Sequence, residues 1–120
     1  MEDLTTKRTL TAIAVCLTAA GCQSYPESPS GSFDVSGNYK AVSDCSYLKI
    51  RSGGYWKKEE FESMRTVQLT LGNETTAIGR IDFTGITSGR TRVEVRFPTP
   101  IQGKDYYPNI YRKIAESCSA

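Results

Sequence analysis

The 120-residue chain has no histidine at all. That absence removes the commonest general base and the commonest metal ligand, so hydrolysis by an activated serine or cysteine, or by zinc, would need rarer substitutes. An excess of one charge is also missing. Fifteen Lys and Arg against thirteen Asp and Glu leave a net charge of +2, far from the basic footprint of a nucleic-acid binder. No apolar run approaches the ~20 residues that a membrane-spanning helix requires. No phosphate-cradling glycine loop, nucleophile elbow or metal-ligand spacing is present, so no cofactor, metal site or small-molecule substrate is predicted. What is present suffices for a fold. Hydrophobic residues make up 38% and aromatics 10% of the chain, too apolar a composition for a disordered segment, and the length allows one small domain.

The N-terminus reads as an address. Lys7 and Arg8 precede an uncharged stretch from Leu10 to Gly21, LTAIAVCLTAAG, which is too short to span a bilayer and ends in small residues, as a cleaved secretion signal does. An ordinary secretory signal or a short buried helix would be the plainer alternatives. Thr18-Ala19-Ala20-Gly21-Cys22 resembles the lipobox of bacterial lipoproteins. Ala19 stands where that motif usually has Leu, and Glu2 and Asp3 are unusual beside a basic start. The resemblance implies removal of residues 1–21 and acylation of Cys22, and Gln23, not being Asp, implies export to the outer membrane of the cell envelope. Several acyl chains on one cysteine anchor far more firmly than a single chain does. Residues 22–32 are rich in Ser and Pro and read as a tether from the lipid bilayer, its last ten residues reaching at most ~35 Å. The folded domain is expected over residues 33–120.

With Cys16 lost and Cys22 acylated, Cys45 and Cys118 are the remaining thiols. An oxidising compartment favours a disulfide between them, and closing so long a loop is worth ~4 kcal/mol in the chain-entropy model. A redox or metal pair is the alternative, although no CxxC spacing or histidine accompanies them.

Periodicity predicts the elements. Asp34 or Ser36 can cap a helix from about Gly37 to Ile50 with Tyr39, Val42, Cys45 and then Leu48 or Lys49 on one stripe. Three strands follow by alternation, with Val67, Leu69 and Leu71, then Ile81 and Phe83, then Val93, Val95 and Phe97 on the inner face. Opposite charges favour a register that sets Ile81 against Val93, Asp82 against Arg92 and Arg80 against Glu94, closed by a loop from Gly85 to Gly89. Tyr107, Ile110, Tyr111, Ile114 and Cys118 mark a C-terminal amphipathic helix with Pro108 in its first turn. The segment from Tyr55 to Met64 lacks clean period and reads as a loop or a fourth, edge strand. The expected fold is an α+β two-layer sandwich, with a three- to four-stranded antiparallel sheet and the N-terminal and C-terminal helices on one face, joined by Cys45 and Cys118.

Two clusters invite a functional reading. Glu59, Glu60 and Glu62 lie among Lys57, Lys58 and Arg65 and read as a solvated face rather than an acid–base pair. Tyr55, Trp56, Lys57 and Lys58 follow two glycines and combine the aromatic and cationic side chains common in protein interfaces; the bland alternative is that Trp56 folds down onto the core edge. Gly37-Asn38-Tyr39 with Val42 and Cys45, then Thr91-Arg92-Val93-Glu94, then Ile114 with Cys118 resemble a group of small proteobacterial envelope lipoproteins. That resemblance implies the lipid anchor and the cysteine pairing and carries no catalytic residue. The barrel-assembly accessory lipoproteins are also small anchored α+β domains, but their helices precede their strands. The expectation is a non-enzymatic, outer-membrane lipoprotein facing the periplasm or the surface that binds another envelope protein or supports assembly. The alternative is an inhibitor of an envelope hydrolase such as a lysozyme, with the Tyr55 to Glu62 segment as its plug.

Overall fold

The computed structural model describes residues 25–73 and 75–120; the expected signal segment 1–21, Cys22 and the first residues after it lie outside them. Seven main elements follow in order: β1 (Gly31–Ser36), α1 (Tyr39–Ile50), β2 (Trp56–Phe61), β3 (Thr66–Gly72), β4 (Ala77–Thr87), β5 (Arg90–Arg96) and α2 (Tyr106–Ser117). The strands form one antiparallel sheet ordered β1-β5-β4-β3-β2. Strands β2 to β5 are a meander, and α1 carries the chain from β1 at one edge across the sheet to β2 at the other. The architecture is the expected α+β sandwich, with five strands where three or four were predicted.

Alternation decides the two faces of the sheet. Phe33, Val35, Val67, Leu69, Ile81, Phe83, Val93 and Val95 point inward and are buried, where Tyr39, Val42 and Ile50 of α1 and Ala115 of α2 close over them. Cys45 of α1 and Cys118 just after α2 are joined by a disulfide with Cα atoms 5.7 Å apart, which ties the two helices together. No helix among the described residues covers the other face. It carries Asp34, Arg90 and Arg92 in one cluster and Asp82, Arg80 and Arg96 in another.

Several expectations are corrected. Gly31–Ser36 is a strand, so the last two residues of the expected tether belong to the sheet: Phe33 pairs with Val93 and Val35 with Thr91. Asp34 and Ser36 therefore cannot cap α1. Gly37 turns the chain at a φ of +121°, which favours glycine, and Asn38 caps the helix by accepting the Lys40 N–H at 3.0 Å. The buried stripe of α1 runs through Tyr39, Val42, Ser43, Ser46 and Ile50, and Leu48 faces solvent with 60% exposure.

The β4–β5 register also differs. Ile81 faces Val95, which sets Asp82 opposite Glu94 and Arg80 opposite Arg96. The expected five-residue loop is a two-residue turn, Ser88-Gly89, preceded by an irregularity between Gly85 and Thr87. In the β3–β4 connection, Asn73 Oδ1 accepts from the Thr75 and Thr76 N–H groups at 3.0 and 2.7 Å and from the Thr75 hydroxyl, so Asn73 and Thr75 build a turn.

Candidate functional site

The segment from Tyr55 to Met64 resolves into β2 and a short 3-10 turn, with β2 in continuous register against β3 from Trp56↔Leu71 to Phe61↔Thr66. A strand sends successive side chains to opposite faces, so the four candidate interface residues do not form one surface. Trp56 and Lys58 point toward the helices, and Lys57 points to the open face. Tyr55 precedes the strand and is 82% exposed.

Trp56 meets Tyr111 edge-on at 5.8 Å between ring centroids and Phe97 at 6.3 Å. Phe97 also packs against Tyr107 at 4.8 Å and stacks on Tyr111 at 5.2 Å. This aromatic row exists because β4 presents a glycine beneath it. A Cβ at Gly79 would lie 2.3–2.5 Å from three carbons of the Phe97 ring, so the ring occupies the space a side chain would take on β4 and comes within 6.3 Å of Trp56. Trp56 thus belongs partly to the core, and its other side is a wall shared by two open concavities. One, of about 650 Å³, is lined by Tyr55, Trp56, Lys57, Gly72 and Asn73. The second, of about 260 Å³, runs between the C-terminal end of α1 and the middle of α2 over Trp56, Leu71, Ile110, Tyr111 and Ile114. Tyr111 is half-buried, and burial first, then neighbouring Tyr107, push its pKa up to about 12. It packs against Phe97 and Trp56.

Lys58 is committed elsewhere. Its ammonium bonds to Asp44 of α1, lies 3.5 Å from Glu60 and stands 5.9 Å over the Tyr47 ring. The Asp44 hydrogen bond raises its pKa against the opposing effect of burial. The three glutamates do not converge on a common point. Glu59 pairs with Lys57 at 3.4 Å, Glu60 with Lys58, and Glu62 with Lys40 at 2.6 Å. The Lys40 hydrogen bond holds the Glu62 carboxyl below its usual range. Among the described residues, no group of three or more Cys, Asp or Glu side chains is placed to hold a metal.

On the open face Asp82 is buried between Arg96, at 2.7 Å, and Arg80, at 3.0 Å. Burial raises its pKa and outweighs the two guanidiniums. Asp34, nearer solvent, is lowered, chiefly by the hydrogen bond from Arg92. Four arginines of this face are therefore in ion pairs.

What the sequence missed is the second half of the site. Leu71, Ile110, Tyr111 and Ile114 were legible as apolar stripes, but nothing in their spacing places them beside Trp56. Cys22, the lipid-attachment candidate, lies outside the described residues. No helix among the described residues is long and apolar enough to cross a membrane. No protein-family model, curated protein or solved structure matches the chain.

Proposed function

We propose that the chain is a non-enzymatic lipoprotein of the bacterial cell envelope, held on the outer membrane through acylated Cys22, whose folded domain binds another envelope protein or supports its assembly. The observation that carries the binding role is the Tyr55–Trp56–Lys57 corner. An aromatic ring 82% exposed stands beside a half-packed tryptophan and an exposed lysine, next to a cleft lined by Leu71, Ile110 and Ile114. Anchors of this kind, an aromatic body on a rigid strand with apolar recesses at its side, carry much of the energy at protein interfaces. The inhibitor reading has less support, because the segment expected to form a protruding plug is a strand paired along its length with β3.

Photo-crosslinking from position 55 in intact envelopes tests the binding role. A single resident protein should be captured, and the yield should fall when Lys57 is replaced by Ala and not when Leu48 is. Capture only after an envelope hydrolase is added would favour inhibition instead. Equal yield from positions 48 and 55 would overturn the assignment of the corner. Intact mass of the envelope form tests the anchor, since acylation and loss of residues 1–21 change it together.

A further inference from the structure

The tip of the loop between β5 and α2 is an exposed isoleucine held in a built turn. Ile101 is 100% exposed. It occupies the first central position of a turn closed by the Gly103 N–H donating to the Pro100 carbonyl at 3.0 Å, with Gly103 at a φ of +109°. The Tyr106 N–H then donates to the Gly103 carbonyl at 3.3 Å, which fastens the turn to the start of α2. A side chain this apolar, on a turn tied at both ends, is favoured wherever its surface can leave water.

The chain enters the domain beside this turn. Ser30 donates its N–H to the Val95 carbonyl at 2.7 Å and its hydroxyl to the Phe97 carbonyl at 2.6 Å, and accepts the Phe97 N–H. The Arg96 Nε donates to the Glu27 carbonyl at 3.0 Å, and the Arg80 guanidinium lies 5.2 Å over the Tyr25 ring. Tyr25 and Pro26 share an open concavity with Pro98, Thr99 and Lys104. The expected tether is thus fastened to the sheet from Tyr25 onward. Two residues, Gln23 and Ser24, separate Cys22 from Tyr25, and the three steps between them reach at most ~11 Å. An anchor on Cys22 therefore holds this end of the sheet against the headgroups.

We propose that the Pro98–Tyr106 loop is a second membrane contact, with Ile101 inserted at the acyl boundary of the bilayer that holds Cys22, and Lys104 and Tyr106 in the headgroup layer. An apolar tip flanked by lysine and tyrosine has the side-chain chemistry of that interface. The inference rests on the acylation of Cys22 proposed above. Its consequence is orientation: the domain is held with its entry end down.

The test uses the full lipidated protein, its acyl chains verified by mass, in phosphatidylethanolamine/phosphatidylglycerol vesicles with bromine on the acyl chains. In a Trp56→Phe background that melts as a folded protein, Ile101→Trp should shift its emission to the blue on vesicles and lose intensity to the bromines. Leu48→Trp, on the solvent side of α1, should do neither. Emission from position 101 unchanged on vesicles, in a protein shown to be acylated, overturns the second contact and leaves the lipoprotein reading standing. Absence of acyl chains on Cys22 overturns both. Should the background variant unfold, amide exchange of residues 99–104 in the otherwise unaltered protein replaces it. Exchange slower on vesicles than in a Cys22→Ser form supports the contact, and equal exchange refutes it.

Discussion

Replacing Gly79 by alanine should destabilise the domain by about 1–2 kcal/mol, although glycine in a strand interior is ordinarily the worse residue. The ordinary gain from removing a strand glycine is ~0.5–1 kcal/mol. Against it stands a Cβ placed 2.3, 2.4 and 2.5 Å from carbons of the Phe97 ring, a clash that must be relieved by moving the ring or the strand. The ring has little room. It is 2% exposed, lies 4.8 Å from Tyr107 and 5.2 Å from Tyr111, and its backbone N–H and carbonyl are both bonded to the Ser30 hydroxyl. Overpacking of this kind costs ~1–3 kcal/mol, so the clash wins. In a domain of this size each kcal/mol lowers Tm by ~4–8 °C.

A double-mutant cycle isolates the cause. Phe97→Ala alone should cost ~3–5 kcal/mol, and in that background Gly79→Ala should cost nothing or stabilise slightly, since its methyl group then enters vacated space. Guanidinium denaturation of the four proteins, with the disulfide intact and followed by Trp56 emission, reads the coupling. Gly53, whose added Cβ meets nothing within 4 Å, supplies the control, because Gly53→Ala should be neutral or stabilising. Gly79→Ala as stable as the parent, or the same loss with and without Phe97, would refute the account of the aromatic row.

The remaining predictions follow from other contacts. Replacing Cys45 and Cys118 together by alanine should lower stability by ~4 kcal/mol through the freed unfolded chain, read as a drop in guanidinium midpoint; a loss under ~1 kcal/mol would show that the bridge constrains little. Trp56→Ala should cost ~2 kcal/mol, since the ring is half-packed against Phe97 and Tyr111, whereas Tyr55→Ala should stay within ~0.5 kcal/mol; equal melting of the two variants would contradict the division of roles between core and surface. The two buttressing aspartates should respond oppositely to acid. Asp82, raised in the fold above its ordinary value of 3.8, takes up a proton more readily folded than unfolded, so its contribution to stability grows as pH falls through its folded pKa toward 3.8 and is then constant. Asp34, lowered, contributes fully above 3.8 and loses that contribution as pH falls through its folded pKa. As pH falls, the gap in denaturation midpoint between parent and Asp82→Asn should change in the parent's favour while that between parent and Asp34→Asn changes against it; gaps that move the same way would refute the sign of one shift.

Much of this fold is legible because burial imposes a period. The inner residues of β3, β4 and β5 and the stripe of α2 emerge from alternation and from three-four spacing, since one-sided burial tolerates little else. The pairing of Cys45 and Cys118, expected from the reading of an oxidising compartment, is present in the structure. The misses have specific causes. In β1, GSFDVS has just two buried apolar residues, Phe33 and Val35, and serine, glycine and aspartate around them carry the composition of a linker. In β2, Lys58 and Glu60 face the helices yet stay partly wet in ion pairs with α1 and each other, so alternation fails to register. The site is legible by half. Its aromatic residues stand together in sequence, but the cleft beside them is assembled from β3 and α2, and its geometry depends on Gly79, whose role is the absence of a side chain.

The β4–β5 register shows why a sound pairing rule can select the wrong alignment. Direct opposition of charges favoured Asp82 against Arg92, yet Asp82 stands opposite Glu94 and Arg80 opposite Arg96. Arginine is long enough to ignore direct opposition. Arg96 reaches diagonally to Asp82 at 2.7 Å while Arg80 reaches it along its own strand at 3.0 Å, so one carboxylate between two guanidiniums replaces two separate cross-strand pairs. The arginines left over, Arg90 and Arg92, find Asp34 at 3.0 Å each, on a strand whose composition resembles a tether and a helix cap. With β1 absent, the true register leaves those two cations unpaired and looks worse than it is. What selects it instead is the inner face. Val95 faces Ile81 and Val93 faces Phe83, with Leu69 and Val67 beyond them on β3, whereas the expected register would set Val95 against Gly79 and Phe83 against Thr91. Buried pairs of that kind are not weakened by solvent as surface ion pairs are, and the charges on the open face arrange themselves around the register that the core requires.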